Sequence, residues 1–300
     1  MMRSLLFVPG DSEHKMQKAA ACGADALILD LEDSVAPSRK AIARKMVASF
    51  LANAPRGEQA PKLIVRVNAL DTWLTEDDLT AVVAGAPDAI LLPKASSGAD
   101  IQDLGVRIAV EEAEAGLPDG GIRIHALMTE TAAGMLAAAS FADKSVRLSA
   151  LAWGAEDLAA DVGASSNKDD AGRYTDIFRM ARSLTILAAA HAGLDAIDTV
   201  FTNFRDMDGL DAECRAAVRD GFSGKMAIHP DQVSVINAAF TPAPQDVERA
   251  VRILALFAAA GPDAGVLSLD GKMIDKPHLR QAERVARRAG LDPDSLPRRG

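Results

Sequence analysis

A chain of 300 residues with 49% apolar and 25% charged side chains can bury a large core, which excludes a disordered protein and suits one α/β barrel with an appendage. Its net charge of −9 excludes a general nucleic-acid binder, which needs a basic face. "MMRSLLFVPG" has one positive charge before an apolar run too short for a signal peptide, and no stretch approaches a membrane span. A soluble, cytoplasmic protein is therefore expected, with neither nucleic acid nor membrane as a partner.

Eight short apolar runs follow one another along the chain. They are "LLFVP" (Leu5–Pro9), "ALILDL" (Ala26–Leu31), "KLIVRV" (Lys62–Val67), "AILLP" (Ala89–Pro93), "RIHALMT" (Arg123–Thr129), "LSALAW" (Leu148–Trp153), "AIDTVF" (Ala196–Phe201) and "KMAIH" (Lys225–His229). Their length and aliphatic content suit strands buried on both faces. The intervening segments read as helices. "SRKAIARKMVASFLANA" follows Pro37, a good first-turn residue, and "TEDDLTAVVAGA" has Thr75 placed as an N-cap. "TDIFRMARSLTILAAAHAGL" stops at a glycine suited to the C′ position, Gly193. Cys22 and Cys214 fall in segments that read as helical, match no CxxC pattern and suit a reducing compartment as plain thiols.

Eight strand–helix units predict a (β/α)8 TIM barrel over residues 1–240. An open doubly wound sheet is the competing fold, but no GxGxxG follows the first run. Beyond "FTPAPQD", residues 241–300 predict a helix, a hairpin about Asp270-Gly271, a lid segment and a last helix. This module looks too small to bury a core alone, so it is expected to pack on the barrel or on a neighbour.

Barrel active sites lie at the C-terminal ends of the strands. The polar residues expected there are Asp30, Glu32 and Asp33 after the second run, Arg66 and Asn68 after the third, and Lys94 after the fourth; Glu130 follows the fifth, Glu156 and Asp157 the sixth, and His229 the eighth. Six of eight ends carrying such groups is more than a structural barrel requires. Glu130 and Asp157 stand one β/α unit apart, which places them about 5 Å from each other on adjacent strand ends. Carboxylates that close repel unless one takes a proton or a divalent cation joins them, and Mg2+ needs only one or two protein carboxylates. The plainer alternative makes both of them first-turn residues that favour a helix dipole. Arg66 suits the neutralisation of an oxyanion or the clamping of a carboxylate, and an ion pair with Glu32 or Asp33 is compatible with either. Lys15 and Lys18 share a helix face, and with Arg39 and Lys40 they could meet the phosphates of a long ligand or simply be solvated.

The segments "RSLLFVPG", "LILDLEDSVAPSRKAIAR", "IVRVN", "TETAAG", "GAEDLAADVGA", "GFSGKMAIHPDQV" and "DGKMIDKP" resemble the citrate lyase β-subunit-like family. That family stands with malyl-CoA and citramalyl-CoA lyases in the HpcH/HpaI aldolase superfamily, and the resemblance runs from about Arg3 to Arg284. It implies a TIM barrel that uses Mg2+ to cleave or form a carbon–carbon bond in a 3-hydroxyacyl-CoA such as malyl-, citramalyl- or citryl-CoA, with acetyl-CoA and an oxo acid as the products. By the same resemblance Glu130 and Asp157 are the metal carboxylates, Arg66 steadies the thioester enolate, and Arg3 lies near the substrate. Glu32 and Asp33 act beside the metal. Asp275 is the acid/base delivered by a C-terminal lid to an adjacent subunit, which implies a homo-oligomer, a trimer or hexamer. The alternatives are an aldolase acting on free 4-hydroxy-2-oxo acids, a malyl-CoA thioesterase, a subunit of a larger citrate lyase complex, and a non-enzymatic scaffold, against which the intact carboxylate set argues.

Overall fold

The computed structural model of the protein describes residues 2–142, 144–261 and 264–293. The first half of the barrel alternates β1 (Ser4–Pro9), α1 (Glu13–Ala20), β2 (Ala26–Asp30), α2 (Lys40–Asn53), β3 (Lys62–Arg66), α3 (Thr75–Val82), β4 (Ala89–Leu92) and α4 (Gly98–Glu114). The second half continues with β5 (Arg123–Leu127), α5 (Ala132–Leu136), β6 (Leu148–Ala152), α6 (Ala155–Asp161), α7 (Asp176–Ala192), β7 (Asp195–Asp198), α8 (Met207–Asp220) and β8 (Gly224–Ala227). These eight strands form a closed barrel in sequence order. Every neighbouring pair is parallel, and the seam pairs Ser4 with Lys225, Leu5 with Met226 and Leu6 with Ala227. The chain divides into two compact units, Met2–Asn237 and a second one starting at Ala238.

The apolar runs are continuous because both faces of each strand are covered. Ala26 and Ile28 join Leu5, Ile64, Leu91 and Met226 in one inner cluster, while the intervening Leu27 and Leu29 are equally buried. Such a core leaves only the strand ends and their loops for polar work. Between β7 and β8 the outer side of the sheet holds charge instead. The wholly buried Lys225 ammonium is bound by Asp198 at 2.8 Å and by Glu213 of α8 at 2.7 Å, and Trp153 Nε1 donates to Asp198 at 2.7 Å.

Two local expectations need correction. Thr75 is not an N-cap acceptor: it is the first residue of α3, and its hydroxyl donates to the carbonyls of Asn68 and Ala69, tying the helix start to the end of β3. Cys22 lies beyond α1 in a turn, whereas Cys214 is buried within α8, its thiol pushed up to about 12 by burial. Gly193 does close α7 in the left-handed conformation, at φ 68°.

The second unit holds the end of α9 (Asp231–Phe240), then α10 (Pro244–Ala260), β9 (Val266–Leu269), β10 (Lys272–Asp275) and α11 (Lys276–Arg288). The β9–β10 hairpin turns on Asp270 and Gly271, both at positive φ (51° and 73°), the pairing a type I′ turn requires. Contrary to the sequence expectation, the module gathers an apolar cluster of its own. Ile253, Leu254 and Phe257 of α10 meet Leu269 and Ile274 of the hairpin and Ala282 and Ala286 of α11. Two amphipathic helices and a hairpin supply enough apolar surface to meet in one layer.

Candidate active site

The strand ends converge on a single cluster of charge. Arg66, the last residue of β3, is buried and forked onto Asp30, the last residue of β2, with Nε–Oδ1 at 2.7 Å and Nη2–Oδ2 at 2.8 Å. Register accounts for this, since Asp30 and Arg66 are direct partners across the β2–β3 ladder. The same guanidinium approaches Glu32 Oε2 at 2.9 Å and lies 4.8 Å from the Phe7 ring centroid. Each partner holds the other's charge: the Asp30 carboxyl is kept below the usual range by Arg66 against the cost of its burial, and Arg66 is raised. The ion pair expected from sequence with Glu32 is present, and Asp30, not singled out as a partner there, positions Arg66 with the fork.

Glu130 follows β5 and is buried; its Oε2 accepts the backbone N–H of Lys94 at 2.7 Å. Burial first, then the charges of Asp157 and Glu32, push its carboxyl up to about 8. Gly154 makes room for it. A Cβ there would stand 2.7 Å from both Glu130 Cγ and Oε1, so any larger residue would displace the carboxylate. Asp157 occupies the first turn of α6, favourable to the helix dipole, yet it also faces the cluster.

Lys94 joins these groups. Its ammonium binds Glu32 Oε1, and lies 3.2 Å from Asp33 Oδ2 and 3.1 Å from Asp157 Oδ1. Its backbone adopts φ 52°, a left-handed conformation costly for a lysine. Sequence reasoning left this residue undecided, because no pattern announces a left-handed lysine. The Glu32 carboxyl is raised by burial despite Arg66 and Lys94, and its Oε2 makes no hydrogen bond.

Glu130, Asp157, Glu32, Asp33 and Arg66 are therefore brought together. Arg3 is not. It precedes β1 and forks onto Asp25, which precedes β2, with Nε–Oδ2 at 2.8 Å and Nη2–Oδ1 at 2.7 Å. In a parallel barrel this is the opposite mouth from the carboxylates, and the ion pair there ties β1 to the loop before β2. The Lys40 ammonium donates to the Leu31 and Glu32 carbonyls and to Asn68 Oδ1, each at 2.7 Å. Arg39 is paired with Asp11 at 2.6 Å, whereas Lys15 and Lys18 are exposed on α1. Asp275, in the second unit, is the N-cap of α11, and its Oδ1 lies 2.6 Å from His278 Nδ1, a contact that lowers its carboxyl. His229 stacks on Phe204 at 4.9 Å between centroids.

Among the described residues no group of three or more Asp, Glu, His or Cys side chains forms a ready-made metal cage. The donor set still fits a hard divalent cation. Glu130 is held from ionising by its burial and by the charge of neighbouring Asp157, and Glu32 Oε2, ion-paired with Arg66, accepts no hydrogen bond. Two carboxylates suffice for Mg2+, which keeps water and substrate oxygens in its remaining positions.

Comparison with known proteins agrees with this architecture. The sequence profile of the HpcH/HpaI aldolase/citrate lyase family matches residues 3–230. The chain is 38% identical over 288 residues to (3S)-malyl-CoA thioesterase of Cereibacter sphaeroides, covering 96% of this chain and 94% of that one. It is 34% identical over 295 residues to the citrate lyase β subunit of Leuconostoc mesenteroides, covering 97% and 94%. The crystal structure of CitE from Mycobacterium tuberculosis with magnesium, acetoacetate and coenzyme A superposes with a TM-score of 0.75 at 35% identity, over 96% of this chain and 98% of that one. No helix among the described residues is long and apolar enough to cross a membrane. With its closed barrel and its carboxylates gathered at the strand ends, the chain belongs to the HpcH/HpaI aldolase/citrate lyase family of carbon–carbon lyases.

Proposed function

We propose that this enzyme cleaves, or forms by Claisen condensation, a 3-hydroxyacyl-CoA such as malyl-, citramalyl- or citryl-CoA, giving acetyl-CoA and an oxo acid, with Mg2+ held by Glu130 and Asp157. The observation that carries the reading is the buried Glu130 beside Asp157, facing an arginine fixed by Asp30 in the same barrel mouth. Bound Mg2+ supplies Lewis-acid polarisation of the oxo-acid oxygens.

The protein's own groups divide the remaining work. Asp30 engages only the Nε edge of Arg66; the far edge, whose Nη1 meets Glu32 Oε2 at 2.9 Å, is the side from which its N–H groups would stabilise negative charge on a thioester oxygen. In cleavage the substrate hydroxyl would give its proton to a water in the site and become the oxo acid's carbonyl, the carbon–carbon bond breaks, and its electron pair passes into the thioester as an enolate facing Arg66. Asp275 gives that enolate carbon a proton, and in condensation takes one away. Its route to the site is a lid closing over a neighbouring subunit in a homo-oligomer, a trimer or hexamer. Glu32 and Asp33 act beside the metal through its waters. Lys15 and Lys18, exposed on α1, are the cations left to meet the phosphates of CoA.

The test is Asp275→Asn: lyase turnover collapses while Mg2+ affinity is kept, and unchanged turnover removes the lid from the mechanism. Purified protein supplied with Mg2+, acetyl-CoA and glyoxylate, pyruvate or oxaloacetate identifies the oxo acid. A second reading, malyl-CoA hydrolysis, is favoured by the 38% identity to a (3S)-malyl-CoA thioesterase. It predicts free CoA without acetyl-CoA, detectable with a thiol reagent.

A further inference from the structure

Lys94 is bound in a way that ordinary packing does not require. One residue engages four carboxylates: its backbone N–H holds Glu130 at 2.7 Å, and its ammonium binds Glu32 and sits 3.2 Å and 3.1 Å from Asp33 and Asp157. The chain reaches this arrangement through a left-handed lysine at φ 52°, a strain that persists only where the surroundings over-determine it. The same four carboxylates, Glu130, Asp157, Glu32 and Asp33, are those that the proposed function places at or beside a divalent cation.

We propose that Lys94 is the built-in counter-cation of this site, and that its ammonium leaves the carboxylates when a divalent cation enters. The inference rests on Mg2+ binding at Glu130 and Asp157. An ammonium 3.1 Å from Asp157 Oδ1 and a dication bound by that carboxylate would repel at close range. The lysine has somewhere to go, since its side chain retains 32% of its exposure and hangs on a flexible stem. Its backbone N–H stays in place through the exchange, so Glu130 remains aimed. The protein thereby keeps its acidic cluster neutralised without metal and exchanges one cation for another on loading.

The experiment uses the full-length chain with MgCl2 as the only ligand. Titration calorimetry compares the wild type with Lys94→Met, and amine labelling of the wild type by reductive methylation, mapped by mass spectrometry, follows Lys94 with and without Mg2+. Lys94→Met is expected to bind Mg2+ about tenfold more tightly and to lose thermal stability only in the absence of metal. In the wild type, Mg2+ is expected to speed the labelling of Lys94. Equal or weaker Mg2+ binding by Lys94→Met overturns the proposal, as does Lys94 labelling indifferent to Mg2+; the labelling arm needs no variant to fold. Glu130→Gln tests the underlying reading separately: if Mg2+ binds it as well as the wild type, the metal assignment fails whatever Lys94 does.

Discussion

At the scale of single residues, the barrel mouth is a set of charges that hold one another in place. Arg66 carries its charge in a buried position because Asp30 meets it with two parallel hydrogen bonds. Asp30→Ala leaves that guanidinium without its fork, and removing one partner of a buried pair costs about 3–5 kcal/mol. Urea unfolding is expected to show a loss of this size. A loss below about 1 kcal/mol, the range of an exposed pair, would mean that Glu32 alone suffices. Gly154 works by what it lacks. In Gly154→Ala the new methyl takes the space of Glu130 Cγ and Oε1 at 2.7 Å. Disturbing the support of a metal ligand typically weakens binding by about 10–100-fold, so calorimetry should find Mg2+ affinity down by at least about tenfold.

At the scale of elements, β7, β8 and α8 are tied by a buried ionic knot rather than by apolar contact alone. Lys225 answers both Asp198 and Glu213. Lys225→Met removes the buried cation that bridges them and should destabilise the fold by about 3–5 kcal/mol, read as a lowered Tm with the strand-end cluster untouched. Elements of this kind were the part of the fold most legible in the sequence. A strand covered on both faces must be apolar throughout, so "ALILDL" and "AILLP" announced themselves, as did the Asp-Gly hairpin. The partners of charged residues were much less legible, because pairing depends on register and loop path. Nothing in "LEDSVAPSRK" says that Lys40 folds back onto the carbonyls of Leu31 and Glu32. Arg3 depends on topology: its place before the first strand is plain in the sequence, and the parallel barrel alone assigns that place to the far mouth.

At the scale of the whole molecule, the carboxylate cluster links stability to pH. Glu130 titrates near 8 when folded, against about 4.5 in an unfolded chain. Between those values the native state holds the extra proton, so this contribution to stability is full below the lower value and is lost as pH rises through the upper one. The Tm of the metal-free protein should therefore fall as pH is raised from about 5 to about 9, and excess Mg2+, which binds the ionised carboxylate, should restore it at the alkaline end. A metal-free Tm that climbs across this range would place the raised group elsewhere.

The seam of the barrel, Ser4–Leu6 against Lys225–Ala227, also governs how the chain is made. The first strand leaves the ribosome long before its second neighbour, and at about 5–20 residues per second the delay is on the order of ten to forty seconds. Throughout that interval the nascent sheet has two unpaired borders, the most adhesive surfaces a parallel sheet can present. Crowded translation should therefore harm this protein more than heating the finished molecule does, and slowing synthesis ahead of the last barrel strand should lower the yield of soluble enzyme.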